Sequence, residues 1–247
     1  MRALIVIAHP EQNSFNGYLK NTAVAELEAL GYKVEVSDLH AMNFDPVEDK
    51  RHFGARLYPD RFDVQAEQRH AYEAGTTNPD IQEEIDKLTR ADLVILQFPI
   101  WWFAAPAILK GWLDRVLVYG LYTGRKRFDE GVFRGKRAFL SVTAGGPESS
   151  FLHDGRNGDI DLLLWPINYT LHYMGFTVLP QFAAFDIGPK DTSEGQQYEN
   201  HANQLRRKIQ TLDVEQPLKF NVWEDWGEDG RLKPQAPWYN YFTRPEK

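Results

Sequence analysis

Short apolar runs and longer stretches with helical period alternate along most of this chain. Ala3–Ile7 is a continuous branched run without helical period, the pattern of a strand buried on both faces. Phe15 to Leu30 then places Leu19, Ala23, Leu27 and Leu30 on one helical stripe, and Gly31 supplies a stop. Lys33–Asp38 alternates apolar and polar residues as a second strand. Strand, helix, strand in this order is a right-handed βαβ unit. Residues 39–78 are polar and irregular, with isolated Phe53, Leu57, Tyr58 and Phe62. That is long for a structureless connection and points to a functional or interface role.

Order resumes with Ile81, Ile85 and Leu88 on a helix from Pro79 to Arg90, followed by the strand Leu93–Leu96. A helix begins near Pro106, with Leu109, Trp112, Leu113, Val116 and Leu117 at helical spacing. Lys136–Thr143 is the fourth strand. The next helix carries Leu162, Leu163, Trp165, Leu171 and His172; Pro166 inside it predicts a kink or a late start. Phe176–Phe185 reads as the fifth strand and Gln196–Leu212 as a last, mostly polar helix. Five strands alternating with helices predict an α/β fold: a doubly wound five-stranded parallel sheet, order 2-1-3-4-5, with helices on both faces. The expected organisation is one domain over 1–215 and an aromatic-rich tail over 216–247. Trp223, Trp226, Trp238, Tyr239, Tyr241 and Phe242 of that tail need a surface to pack on, either the domain or a partner subunit.

In such a sheet, ligands bind at the carboxyl ends of the strands, where the strand order reverses. The loop after the third strand, Gln97–Phe103, is unusual: two prolines stiffen its surroundings, and Trp101, Trp102, Phe98 and Phe103 stand where polar residues are common. Stiff backbone offers fixed N–H donors and the rings offer a flat wall. After the first strand, His9 and Ser14 lie at a helix N-terminus, a place that attracts phosphate. Ser14 also suits a plain helix cap, and His9 a structural hydrogen bond. Gly145-Gly146 after the fourth strand permits close approach of a flat ligand, or simply a tight turn. Arg125–Arg127 reads as a solvated loop, with contact to a phosphorylated ligand as the alternative.

Composition narrows the chemistry. Net charge is −7 with both signs interspersed, so there is no electrostatic footprint for nucleic acid. The absence of cysteine rules out disulfides and a cysteine nucleophile and fits a cytoplasmic protein. No apolar run reaches membrane-spanning length, and Met1–Ile7 is too short for a signal peptide. Metal-ligand spacing, a Ser/His/Asp set and paired carboxylates are all missing from the sequence, so the chemistry is expected from a bound cofactor, and a flavin fits the three loops.

Several longer motifs carry a family resemblance: ALIVIAHPEQNSFN (Ala3–Asn16), SDLHAMNFDP (Ser37–Pro46), ADLVILQFPIWWFAAPAILKGWLDR (Ala91–Arg115), SVTAGG (Ser141–Gly146), LWPI (Leu164–Ile167) and LHYMGF (Leu171–Phe176). The chain resembles the NAD(P)H:quinone acceptor oxidoreductases of the DT-diaphorase type and their bacterial relatives, within the flavodoxin-like superfamily. The likeness covers most of residues 1–188 and fades beyond. It implies a homodimer with FAD (FMN being the alternative flavin), NADPH or NADH as hydride donor, and ping-pong two-electron transfer to a quinone-type acceptor.

By the same resemblance, His9, Ser14, Phe15 and Asn16 would hold the pyrophosphate and ribityl end. Pro99, Ile100, Trp101, Trp102 and Phe103 would flank the ring system, with backbone N–H groups aimed at it. Thr143, Ala144, Gly145 and Gly146 would take its pyrimidine end. The catalytic positions carried over are Trp102, Phe103, Gly146 and Asn157, and Tyr122, Phe128 and Tyr173 would wall the substrate pocket from the partner side. The chain departs from the mammalian pattern after Gly-Gly: Phe151 and Asn157 stand where a Tyr and a His are proposed to share charge, so the proton relay is in question. Two readings from other classes stay open, a flavodoxin-like electron carrier and a regulatory ancillary subunit of a potassium-efflux system.

Overall fold

The structure, a computed structural model, describes residues 1–188 and 194–239, with the side chain of Glu194 left aside. Tyr241 and Phe242 therefore lie outside the described residues. Strands β1 (Arg2–Ile7), β2 (Lys33–Asp38), β3 (Leu93–Pro99) and β4 (Arg137–Thr143) form a parallel sheet in the order β2-β1-β3-β4-β5. The fifth position is shared by β5 (Thr177–Val178) and β6 (Phe182–Ala184), both parallel to β4. The predicted strand Phe176–Phe185 is thus in two pieces, separated at Pro180, whose missing N–H cannot join a ladder.

Period-2 alternation sends the strands' side chains to two cores. Leu4, Val6, Val94, Leu96, Phe98, Ala138, Leu140 and Val142 pack beneath α3 (Pro79–Arg90), α4 (Ala107–Val116) and α5 (Ile160–Tyr173). Ala3, Ile5, Leu93, Ile95 and Phe139 pack beneath α1 (Phe15–Ala29) and α6 (Glu194–Gln210). Every residue of β3 is buried, as its unbroken apolar run requires. Among the described residues no helix is long and apolar enough to cross a membrane.

Several boundaries differ from the sequence reading, the last helix among them, which runs over Glu194–Gln210 and not Gln196–Leu212. β3 continues through Gln97, Phe98 and Pro99, which pair with Ser141, Val142 and Thr143. The functional loop therefore starts at Ile100, and Gln97 is a buried polar strand residue. α1 stops at Ala29, leaving Leu30 exposed at its C-cap. α5 starts at Ile160, capped by Asp159, and runs on through Pro166. Finally, α2 (Val64–Glu73) lies inside the stretch that reads as irregular. Its inward positions are Glu67, Gln68 and Ala71, so it shows no apolar stripe. The side-chain oxygens of Glu67 accept the N–H groups of Leu57 and Tyr58 at 2.7 and 3.0 Å, so a buried polar side chain organises this segment.

Candidate active site

A cavity of about 490 Å³ opens at the carboxyl edge of β1, β3 and β4. Three loops line it: His9, Ser14, Phe15 and Asn16 from the first; Pro99, Ile100 and Trp101 from the second; Thr143, Ala144 and Gly145 from the third. Ile187, Gly188 and Tyr198 complete the lining. Among the described lining residues there is no Asp, Glu, Lys or Arg.

The first wall is the N-terminus of α1. Ser14 caps it, its Oγ accepting the Gly17 N–H at 3.2 Å. The N–H groups of Phe15 and Asn16 have no partner among the described residues and are the orphan donors of a helix start. The side chain of Asn16 is engaged within the protein. Its amide donates to Thr143 Oγ1 at 2.9 Å and accepts from Gln97 Nε2 at 2.9 Å, all buried. What it presents to the cavity is backbone. His9 is tied to its own loop, Nδ1 lying 3.1 Å from the Glu11 N–H, and its ring lies 5.9 Å from that of Trp101.

Gly17 went unnoticed in the sequence, yet it sets this wall. A Cβ there would lie 2.0 Å from the carbonyl oxygen of Gln12. The loop can fold onto the first turn only over a glycine. Glycine early in a helix is an unfavourable choice, and that was the available signal. Tyr198, stacked on Phe15 at 4.2 Å, comes from α6 and had no local signal.

The second wall ends in a strained turn. Trp101 and Ala104 exchange two backbone bonds, at 3.0 and 3.1 Å, closing a hairpin around Trp102 and Phe103. Both central residues have positive φ, +51° and +62°. This is the left-handed pairing of a type I′ turn, a place that favours Asn-Gly. The geometry sharpens the expectation of N–H donors across Pro99–Phe103. Proline has none, Ile100 N–H donates to Thr143 O at 2.8 Å, and Trp101 N–H is used in the turn. Only Trp102 and Phe103 keep theirs free among the described residues. Their rings stand in solvent: Trp102 is 94% exposed and Phe103 52%.

The third wall is the Gly145-Gly146 shelf. A Cβ on Gly146 would lie 3.1 Å from Asn157 Nδ2 and 3.4 Å from the Phe151 ring. Phe151 is buried, 5.4 Å from Phe185. On the other side, Asp186 and Ile187 donate their N–H groups to the carbonyls of Gly146 and Ala144, each at 3.0 Å. The shelf is held from both sides, with Gly145 exposed and Gly146 half-buried.

Tyr122, Phe128 and Tyr173 gather elsewhere and do not line this cavity. Tyr173 meets Tyr122 at 5.6 Å and Phe128 at 5.1 Å, both edge to face. The neighbouring basic cluster is scaffolding within the chain: Arg125 pairs with Glu130, and Arg127 donates to Gly124 O and to the Tyr173 hydroxyl.

A helix end with unused donors, a glycine shelf and a flat aromatic rim, without an acid–base pair, suit a planar cofactor with a phosphate tail. A sequence family described by its flavodoxin-like fold matches residues 1–209. NAD(P)H dehydrogenase [quinone] 1 of Cavia porcellus is 46% identical over 190 residues, 76% of this chain and 69% of that protein. Human ribosyldihydronicotinamide dehydrogenase [quinone] is 43% identical over 230 residues, covering 92% of this chain and 98% of the human one. A Klebsiella pneumoniae structure, provisionally described as a quinone reductase, superposes with a TM-score of 0.89 at 38% identity, covering 95% of each chain. The chain belongs to the quinone-dehydrogenase family of the flavodoxin-like fold.

Proposed function

We propose that this protein is a cytoplasmic, homodimeric flavoenzyme that passes two electrons from NADPH or NADH to a quinone. The observation that carries the reading is the cavity itself, lined by the start of α1 with its unpaired Phe15 and Asn16 N–H groups and, among the described lining residues, by no Asp, Glu, Lys or Arg; Trp102 and Phe103 follow its lining residue Trp101 directly. Family membership supplies the reaction class: the relatives named above are quinone dehydrogenases.

The residues present fit a flavin. Phe15 and Asn16 N–H, at the positive end of α1, suit its phosphate. Trp102 and Phe103 N–H suit the polar edge of its ring system, and Gly145-Gly146 suits close stacking along the other edge. The stacked Phe15–Tyr198 pair gives the cavity a second flat surface beside the helix end, and this favours FAD over FMN. A bound flavin supplies the redox chemistry, accepting electrons from a reduced nicotinamide and returning them to the acceptor.

The protein's part is orientation and electrostatics. The Trp101–Ala104 turn fixes two N–H donors where negative charge would build during reduction. Asn157 holds its amide against the shelf as a neutral donor, and Phe151 excludes water without offering a proton. Neither position would relay a proton to the group. Nicotinamide and quinone would share one mouth beside Trp102 and Phe103, which supports a ping-pong order. The exposure of those rings, together with Trp101 at 45%, supports burial against a second copy.

The test is the visible spectrum of the purified protein, followed anaerobically. The reading predicts a yellow protein that bleaches on NAD(P)H and recolours on a quinone, with FAD released on heating. A colourless protein that takes up neither FAD nor FMN contradicts it.

A further inference from the structure

The C-terminal segment that the sequence left without a role is bound to the Arg125–Phe128 loop at Trp223. Its indole N–H donates to the carbonyls of Arg127 and Arg125 at 2.9 and 3.2 Å. Its backbone N–H donates to Asp129 Oδ1 at 2.9 Å. The guanidinium groups of Arg127 and Arg125 lie 5.0 and 5.3 Å from its ring centre, and Phe128 meets it edge to face at 5.1 Å.

This loop needs an external clamp. Phe128 sits at φ +55°, a left-handed conformation that a β-carbon disfavours. Apart from Trp223, the loop is held by Arg127 Nη1, which donates to the Tyr173 hydroxyl at 3.0 Å, and by the Phe128 ring, which meets His172 at 5.5 Å, Tyr169 at 6.4 Å and Tyr173; none of these bonds the backbone of Phe128 or its neighbours. Trp223 ties the carbonyls on the N-terminal side of Phe128, covers its ring and holds the carboxylate just after it. The strained residue is thereby pinned from three directions. Phe128 and Tyr173 in turn touch each other and Tyr122 touches Tyr173.

We infer that Trp223 is a positioning residue: it fixes Phe128, and through Arg127 the Tyr173 hydroxyl, as a preformed aromatic wall for the electron acceptor. Trp223 lines no part of the cofactor cavity, so its effect runs through the loop. The clamp itself stands on the contacts above; its consequence for the acceptor rests on the flavoenzyme reading and on the proposed dimer, in which this wall would face a neighbouring cavity.

The experiment compares the flavin-loaded wild type with W223A and W223F in two assays. Limited trypsin digestion reads the clamp, because Arg125 and Lys126 are exposed on the loop. Steady-state kinetics with a quinone reads the wall. W223A is expected to speed cleavage at 125–127 by about tenfold and to raise the acceptor KM by about tenfold with kcat within about twofold. W223F keeps the ring but not the indole N–H and should fall between. Should W223A not fold, W223F alone decides. Unchanged cleavage in W223F, and in W223A where it folds, overturns the clamp whatever the protein's activity. Faster cleavage with an unchanged acceptor KM overturns the wall. Failure of the flavoenzyme reading would show separately, as no turnover in the wild type with the cleavage difference intact.

Discussion

The Trp102–Phe103 turn and the Phe128–Trp223 cluster both hold an aromatic residue at positive φ, but they stabilise it in different ways. At the turn, two backbone bonds between Trp101 and Ala104 impose the conformation, and the rings are left in solvent. In the cluster, the rings impose it: Phe128 meets Tyr173, Trp223, His172 and Tyr169, and the backbone follows. The first device presents backbone donors and tolerates changes in side chain. The second presents side chains, and its backbone depends on them. Left-handed strain costs on the order of 1–2 kcal/mol per residue, so each site must return that stabilisation through its own contacts.

If the cavity is built from backbone, its largest vulnerability is a change that moves backbone. G17A places a methyl 2.0 Å from Gln12 O. In an ordinary helix this substitution stabilises by about 1 kcal/mol; here it should destabilise by about 2–4 kcal/mol. Urea denaturation and the flavin-to-protein absorbance ratio check both the sign and the loss of cofactor. A gain in stability would remove the claim that the first loop is seated over that glycine.

The two strained aromatics should next respond with opposite signs. F128G relieves the backbone but removes a ring packed on four others, with an expected loss of about 2 kcal/mol. W102N/F103G keeps the turn, supplies the residues a type I′ turn favours and leaves the N–H donors in place. It should gain about 1 kcal/mol by thermal melting while weakening acceptor binding. Equal signs in the two variants would erase the distinction between the regions.

The smallest effect concerns pH. His172 stacks on Phe220 at 4.4 Å and shares a hydrogen bond with Asn221 O, and burial holds its ring below the usual histidine value. The unfolded chain then binds a proton that the native state refuses. Stability is full above pH ~6.5 and falls as the pH drops from there towards the lowered native value. H172Q should flatten this slope between pH 5 and 7, measured by urea midpoints.

Most of the cavity was legible because it sits at the ends of buried strands, whose apolar runs announce themselves. His9, Ser14, Ile100, Trp101, Thr143 and Gly145 follow directly from where those runs stop, and all line the cavity. What escaped depends on long-range or polar packing. α2 turns Glu67 and Gln68 inward, so periodicity of apolar residues could not reveal it. Tyr198 reaches the cavity only because α6 docks on α1. The turn at Trp102-Phe103 has none of the usual turn residues, and its conformation is set by the paired bonds across it. Trp223 lies in a stretch without period, and its role exists only against a loop nearly a hundred residues earlier, as its bond to Arg125 O shows.

The most direct test of a backbone-built flavin site is amide hydrogen exchange, resolved by residue, on the protein with and without FAD. Trp102 and Phe103 N–H, free without ligand, should slow markedly on binding, as should Phe15 and Asn16 at the start of α1. Ile100 and Trp101, already bonded within the protein, should change little. Protection of Ile100 and Trp101 with no change at Trp102 and Phe103 would contradict the account.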